Sequence, residues 1–244
     1  MKDTALKIAF ALIVGCALPA SALGSREPPL TGWVGHLLIH PVRAADFTLT
    51  DQHRNPFHMA DTAGKVVLMT FIYTHCEDTC PFVALKVKDA YELLTSDADK
   101  VAIVAVTTDP KRDVPEVTAA YSKALGLFDV WHFVGGAASA VQRVWTKYGI
   151  GVTVDPTTDA VAASSGGADT LLAQDSHYQP TEGLTPSDLF MAEHIIQQFG
   201  GGYDVGHSAP FWIVDKKGMI RLGLDASATP SDIAADVRLL LTLK

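Results

Sequence analysis

Two apolar runs rich in β-branched residues predict the centre of a sheet. They are residues 64–74 (GKVVLMTFIYT) and residues 101–108 (VAIVAVTT). A strand that is apolar on both faces is typical of a parallel sheet covered by helices on each side. Between these runs, residues 82–96 (FVALKVKDAYELLTS) carry apolar side chains at the spacing of an amphipathic helix. The pattern therefore predicts a strand, a helix and a second, parallel strand.

The rest of the chain adds two hairpins and further helices. Residues 46–59 (DFTLTDQHRNPFHM) alternate around a turn signal, and residues 207–224 (HSAPFWIVDKKGMIRLGL) place two apolar runs around a Lys-Lys-Gly turn. Helical spacing is found within residues 109–126, 137–149 and 229–244. This order of elements predicts a mixed α/β sheet with helices on its faces.

One long segment fits this pattern poorly. Residues 155–202 are rich in small polar residues and have little periodicity, apart from a possible helix in residues 186–200 (PSDLFMAEHIIQQFG). The segment is long for a loop inside a compact domain. We therefore expect a surface insertion that contacts a partner and does not build the core.

The N-terminus has the charge order and length of a targeting segment. Lys2 and Lys7 precede 15 apolar or small residues, 8–22 (IAFALIVGCALPASA), which is short for a membrane span. Residues 1–22 are predicted to be a signal peptide or membrane anchor, with three alternatives: cleavage after Ala22, lipidation of Cys16, or an uncleaved anchor. The lysines place the body outside the cytoplasm, either at the periplasmic face of the inner membrane or soluble in the periplasm.

The remaining chain is predicted to form one domain behind a linker. Residues 23–45 contain three prolines and are interpreted as the linker, and residues 46–244 as the domain. The 244 residues, 48% hydrophobic and 19% charged, are ordinary for a globular protein. The formal net charge of −8 and the lack of a long basic run argue against nucleic acid as a partner.

Cysteines suggest where the chemistry lies. Outside the targeting segment the chain has only Cys76 and Cys80, where a predicted strand ends. A disulfide across four residues closes a very small loop and stabilises little, so the pair is more typical of function than of structure. A redox pair and a metal site both remain open. Glu77 and Asp78 oppose thiolate formation and suit a cation, which tilts the choice mildly toward metal.

A metal site needs a further ligand besides the two thiols. Two thiolates and an imidazole would suit Cu(I), Cu(II) or Zn(II). Among nine histidines, His75 adjoins Cys76 and is expected to point elsewhere, whereas His207 leads directly into the apolar run APFWIVD. A histidine at that strand entry could face the cysteine loop, so His207 is the candidate.

Four blocks of sequence carry a resemblance to a known family. They are FTLTDQHRNPF (47–57), GKVVLMTFIYTHCEDTCP (64–81), VTTDPKRDVPEVTAAYSKALG (106–126) and YDVGHSAPFWIVDKKGMI (203–220). In content and order they are similar to the Sco/SenC family of copper-handling proteins, which assist cytochrome c oxidase assembly. The resemblance covers roughly residues 47–240.

The resemblance implies a fold and a site. The fold would be thioredoxin-like, α/β, with an extra N-terminal β-hairpin and a surface insertion before the histidine-bearing strand. A copper ion, Cu(I) or Cu(II), would be held by Cys76, Cys80 and His207. Asp109 matches a family acid near the metal, although an Asp before Pro110 also serves as a turn residue. Glu77 stands where family members usually have proline, which leaves all three ligands in place.

The resemblance also implies a function with two readings. The first is a metallochaperone, not an enzyme with turnover, that receives copper from another copper chaperone and passes it to a copper-receiving oxidase subunit. The alternative is a thiol–disulfide oxidoreductase that reduces the cysteines of the copper acceptor through Cys76 and Cys80. A redox sensor is a third, weaker reading.

Overall fold

The computed structural model describes residues 32–155 and 180–243. The strands within these residues are β1 (His36–Arg43), β2 (Thr48–Thr50), β3 (Pro56–His58), β4 (Val66–Ile72), β5 (Val101–Thr107), β6 (His132–Val134), β7 (Val152–Asp155), β8 (Asp204–His207), β9 (Phe211–Val214) and β10 (Met219–Leu224). The α-helices of the described ranges are α1 (Thr79–Leu93), α2 (Pro115–Leu125), α3 (Ala138–Tyr148), α4 (Pro186–Phe199) and α5 (Pro230–Thr242). Short 3₁₀ helices span Met59–Thr62 and Thr95–Lys100.

Six strands form one mixed sheet in the order β1-β10-β9-β4-β5-β6. Strands β4, β5 and β6 run parallel, while β9, β10 and β1 are added antiparallel. All seven residues of β4 are buried, which confirms the prediction of a parallel strand covered on both faces. Strands β2 and β3 pair as a separate antiparallel hairpin, and β7 pairs with β8.

The sheet separates two apolar clusters. Alternate residues of β4 supply both: Leu68 and Ile72 pack into the cluster that contains α1, α2, α4 and α5, whereas Met69 and Phe71 pack on the side of α3 and the β2–β3 hairpin. This period-2 alternation is the geometry of a strand with helices on each side. The structure is therefore the expected thioredoxin-like α/β fold.

The prediction of a linker over residues 23–45 is wrong for its second half. Residues 36–43 form β1, which pairs antiparallel with β10. The register shifts between Leu37 and Val42, and Pro41 lies within the strand. An edge strand tolerates proline and an irregular register because only one of its sides must donate and accept hydrogen bonds. Because of these features, residues 36–43 lack the regular alternation of polar and apolar side chains that predicts a strand.

The prediction that residues 155–202 stay outside the core is also wrong, because of α4. Ala192 and Ile195 are fully buried, and the Phe199 ring meets the Tyr121 ring edge-on at 5.3 Å. The helix begins with a capping box, in which Thr185 and Asp188 satisfy each other's backbone N–H groups. Helix α4 thus packs against α1 and α2 as part of the main cluster.

Several predictions fall outside the described residues. They concern the targeting segment 1–22 with Cys16, the first part of the linker, and residues 156–179 of the insertion. Within the described ranges, none of the helices is long and apolar enough to cross a membrane.

Candidate metal centre

The loop between β4 and α1 brings the two thiols together. Strand β4 ends at Ile72 and α1 begins at Thr79, so Cys76 lies in the loop and Cys80 in the first helical turn. The backbone N–H of Cys80 donates to Cys76 Sγ at 3.4 Å. Both residues are free thiols and both are buried, with 6% and 0% of their surfaces exposed. Cys76 thus accepts one of the N–H groups that a helix start leaves without a partner.

The pKa values of the two thiols are shifted in opposite directions. Burial opposes ionisation of Cys76, but hydrogen bonds from the Cys80 side chain and from the backbone N–H groups of Cys80 and Asp78 leave its pKa below the ordinary value. Burial, donation to Cys76 and the Cys76 charge raise the pKa of Cys80 well above the ordinary value. Cys76 is therefore the first thiol to ionise, while Cys80 keeps its proton and donates it.

His207 lies beside this pair, as predicted, but on a different element. It is the last residue of β8, not the first residue of β9, and its Nε2 is 3.4 Å from Cys80 Sγ. Its Nδ1 lies 3.2 Å from the carbonyl oxygen of Ser208. Because a carbonyl only accepts, Nδ1 carries the proton of the neutral ring, which leaves a lone pair on Nε2.

Tyr73 supports the imidazole from the end of β4. Its ring packs edge-on against His207, with centroids 5.5 Å apart and an interplanar angle of 76°. Its hydroxyl oxygen accepts the backbone N–H of Val205 in β8 at 3.3 Å. In the sequence, Tyr73 belongs to the apolar run 64–74 that predicts a buried strand. Its position three residues before Cys76 was the signal that it faces the site.

The three predicted ligands have the donor atoms that a copper ion needs. Thiol sulfur and imidazole nitrogen are donors that soft and borderline copper ions prefer. Cys76, Cys80 and His207 converge at one rim of the sheet, and their donor set fits copper. In the described part of the chain, however, no group of three or more His, Cys, Asp or Glu side chains is already arranged to hold a metal ion.

Asp109 is directed toward a neighbouring arginine. Its carboxylate accepts from Tyr203 Oη at 2.7 Å and pairs with Arg112 Nε. Its carbonyl accepts from the backbone N–H groups of Arg112 and Asp113, as the turn interpretation expects. The predicted support of a metal ligand by Asp109 stays a prediction.

The acid in direct contact with the cysteine loop is Asp113, which sequence analysis missed. Its carboxylate accepts from Thr74 Oγ1 at 2.5 Å, from Thr74 N at 3.2 Å and from Thr107 Oγ1 at 2.6 Å. Burial raises the pKa of Asp113 to about 7, against the effect of these hydrogen bonds. The available signal was a second acid four residues after Asp109 in the same loop.

His75, predicted to point away from the site, hydrogen-bonds locally. Its Nδ1 lies 2.8 Å from Thr74 Oγ1, the hydroxyl that also donates to Asp113. Burial and the nearby Arg112 charge lower the pKa of His75. The imidazole beside the thiols is therefore His207.

Comparison with protein families identifies the chain. The family model described as SCO1/SenC matches residues 40–178, more than half of the sequence. The match includes Cys76, Cys80 and Asp109, while His207 lies beyond its end. The chain belongs to the SCO1/SenC family.

Relatives of this SCO1/SenC protein are similar over part of their length. A SCO2-like protein of Rickettsia felis is 32% identical over 127 residues, which are 50% of this chain and 62% of that protein. The copper-bound ScoI of Bradyrhizobium japonicum superposes with a TM-score of 0.58 at 22% identity, covering 82% of this chain and 99% of ScoI.

A third similar protein is BsSco, described as a member of the Sco family of cytochrome c oxidase assembly proteins with a disulfide switch. Its TM-score is 0.56 at 20% identity, and the superposition covers 87% of this chain and all of BsSco. At these identities the two solved structures establish the shared fold alone.

Proposed function

We propose that this protein is a copper-binding metallochaperone that delivers copper to a copper centre of a terminal oxidase during cytochrome c oxidase assembly. The observation that carries the proposal is the approach of His207 Nε2 to within 3.4 Å of Cys80 Sγ, next to Cys76. Membership in the SCO1/SenC family and the description of ScoI as copper-bound support copper as the cargo.

Each of the three side chains has a distinct task in holding the cargo. Cys76, with its lowered pKa, supplies the first thiolate, and Cys80 must lose its proton when copper binds. His207 offers Nε2 because the Ser208 carbonyl holds the proton on Nδ1. Binding therefore releases protons and weakens as the pH falls. Three ligands also leave a position through which an acceptor thiol can take over the ion.

The oxidoreductase reading is the second candidate, and the unequal thiols favour it. A partly ionised Cys76 thiolate would attack an acceptor disulfide and form a mixed disulfide, releasing one acceptor thiolate. Attack of Cys80 on Cys76 Sγ would then form the Cys76–Cys80 disulfide and release the second acceptor thiol. Two electrons pass to the acceptor, and an external dithiol reductant would restore the pair.

The partners and location follow the same proposal. The acceptor would be an oxidase subunit and the donor a second copper chaperone, both outside the cytoplasm. The N-terminal segment would export the protein and anchor, lipidate or release it at the periplasmic face of the inner membrane. The acidic net charge of −8 is consistent with partners other than nucleic acid.

Replacing His207 separates the two functions, because only copper binding needs an imidazole. We expect His207→Ala to weaken copper binding by at least the roughly 10–100-fold typical of residues that support a metal site, and to change the visible spectrum of the Cu(II) form. Formation of the Cys76–Cys80 disulfide should persist. The measurements are copper titration against a competing chelator with reduced protein, and thiol counting.

The control is His194→Ala, because His194 is exposed on α4. Unchanged copper binding in His207→Ala would show that the third ligand is misassigned. If His207→Ala also supports oxidase maturation as well as wild type, the oxidoreductase reading replaces the chaperone.

A further inference from the structure

Strand β8, which carries His207, is held differently from the strands of the main sheet. It has four residues and, within the described residues, pairs only with β7, outside the six-stranded sheet. It follows α4 through residues 200–203, Gly-Gly-Gly-Tyr, which we call the glycine turn. The position of the imidazole therefore depends on what fixes this turn.

One side chain binds the glycine turn at two points. Arg112 Nη1 donates to the carbonyl oxygen of Gly201 at 2.9 Å, and Nη2 donates to that of Tyr203 at 2.8 Å. The guanidinium carbon lies 3.7 Å from the centroid of the Tyr203 ring, and Nε pairs with Asp109. The planar fork of arginine thus joins the loop after β5 to the residues immediately before β8.

The glycine turn fits closely between two side chains. A Cβ atom on Gly202 would lie 2.7 Å from Arg112 Nη1, and one on Gly200 would lie 2.8 Å from Glu77 Cγ. Gly201 and Gly202 also have φ values of +107° and +85°, which side chains other than glycine rarely adopt. The cysteine loop, the loop after β5 and the entry to β8 therefore meet at this turn.

We propose that Arg112 is the positioning residue that sets the distance between the His207 imidazole and the Cys80 thiol. Arg112 is not itself a ligand; it fixes the carbonyl groups six and four residues before His207, and Tyr73 fixes the Val205 N–H. This inference rests on the proposed copper function. Without the guanidinium, β8 keeps its pairing with β7 and the hydrogen bond from Val205 to Tyr73, but the glycine turn loses both hydrogen bonds that tie it to the loop after β5.

The test compares two arginines of equal exposure. Arg112 and Arg221 each pair through Nε with a buried aspartate, and each side chain is 14% exposed, but Arg221 lies in β10 and contacts Asp215 of the same hairpin. We expect Arg112→Gln to weaken copper affinity by about 10–100-fold and to move the Cu(II) spectrum toward that of His207→Ala. Arg221→Gln should leave both unchanged.

A metal-free measurement keeps this inference separate from the proposed function. In the reduced protein without metal, Arg112→Gln should shift the NMR signals of the His207 ring nitrogens and speed amide exchange in β8, while Arg221→Gln should not. Arg112→Lys should restore these signals only in part, because an ammonium group lacks the fork that serves several acceptors. Ring signals in Arg112→Gln that match wild type would overturn the proposal, whether or not wild type binds copper.

A second pair of variants covers the case in which Arg112→Gln fails to fold. Gly201→Ala and Gly202→Ala both place alanine at positive φ, but only the Gly202 Cβ meets Arg112, whereas the nearest atom to a Gly201 Cβ is Glu77 Oε1 at 3.8 Å. We expect the His207 signals to move more in Gly202→Ala than in Gly201→Ala. Equal effects of the two variants would mean that backbone strain, not the arginine, sets the position of the His207 imidazole.

Discussion

The thiols and the imidazole reach the candidate metal centre on different kinds of support. Cys76 lies in the loop that joins β4 to α1, and Cys80 lies in the first turn of α1. Every residue of β4 and one face of α1 are buried, so apolar packing of these two elements fixes the thiols. His207 ends a four-residue strand outside the main sheet, and that strand and the residue before it are held by hydrogen bonds between their backbone and the side chains of Tyr73 and Arg112. The thiol half of the site should therefore resist substitution, and the imidazole half should respond to it.

The largest expected effect concerns α4, the helix that precedes β8, and tests whether this helix is packed firmly in the core. Ile195 on α4 is fully buried, so Ile195→Ala should lower the free energy of unfolding by about 2–5 kcal/mol. Its neighbour Phe190 is 73% exposed, and Phe190→Ala should change stability by less than about 0.5 kcal/mol. Chemical denaturation measures both.

Equal stability of Ile195→Ala and Phe190→Ala would contradict the packing of α4 in the core. In that case α4 and β8 would form a detachable unit, and the contrast between the two halves of the site would be larger than we describe.

The sequence reveals the thiol half far more fully than the imidazole half. Apolar runs and helical spacing predict β4, β5 and α1, and with them the position of Cys76 and Cys80 at a strand end. His207 was selected because an apolar run follows it, yet the structure places it on β8. Its supports are long-range: Arg112 and its acceptors Gly201 and Tyr203 are 89 and 91 residues apart. No local pattern encodes such contacts.

β1 and α4 were predicted wrongly for the same reason. β1 is an edge strand with an irregular register and exposed Ile39, so the alternation that marks a strand is lost. α4 follows a polar stretch without periodicity, which made the whole segment resemble a surface insertion. Sequence patterns report burial that repeats along one element, and they miss elements that meet only in the folded chain.

A second prediction concerns a buried charge on the thiol half. Lys86, on α1 between the thiols and the helix end, is fully buried and donates from Nζ to the Ala226 carbonyl at 2.8 Å. Burial lowers the pKa of Lys86 from 10.5 to about 8, although Glu182, Asp225 and Asp232 oppose the shift. Between these pH values the unfolded chain binds more protons than the folded one, so stability should rise with pH.

The size of this effect follows from the shift in pKa. The difference between a pKa of 10.5 and one of about 8 corresponds to at most about 3 kcal/mol, the upper limit of the expected rise in stability between pH 8 and pH 10.5. Lys86→Met should be more stable than wild type at pH 7 by up to that amount, and the gap should close toward pH 10.5. Denaturation of both proteins at each pH cancels the thiol contribution, which is common to them. A gap that does not change with pH would contradict the assigned charge state.

The smallest expected effect concerns the difference in pKa between the two thiols. The side chain of Cys80 donates a hydrogen bond that helps to keep the pKa of Cys76 below its ordinary value, so the variant without a donor, Cys80→Ala, should move the pH midpoint of Cys76 alkylation upward. Cys80→Ser retains a hydroxyl donor and should move this midpoint less.

Iodoacetamide labelling of the metal-free protein, followed by mass spectrometry at successive pH values, gives the midpoint directly. The backbone N–H of Cys80 still donates to Cys76 Sγ in both variants, so this contribution to the midpoint is common to them. If alanine and serine give the same midpoint, the backbone alone tunes Cys76, and the thiol half depends on side-chain contacts even less than we infer.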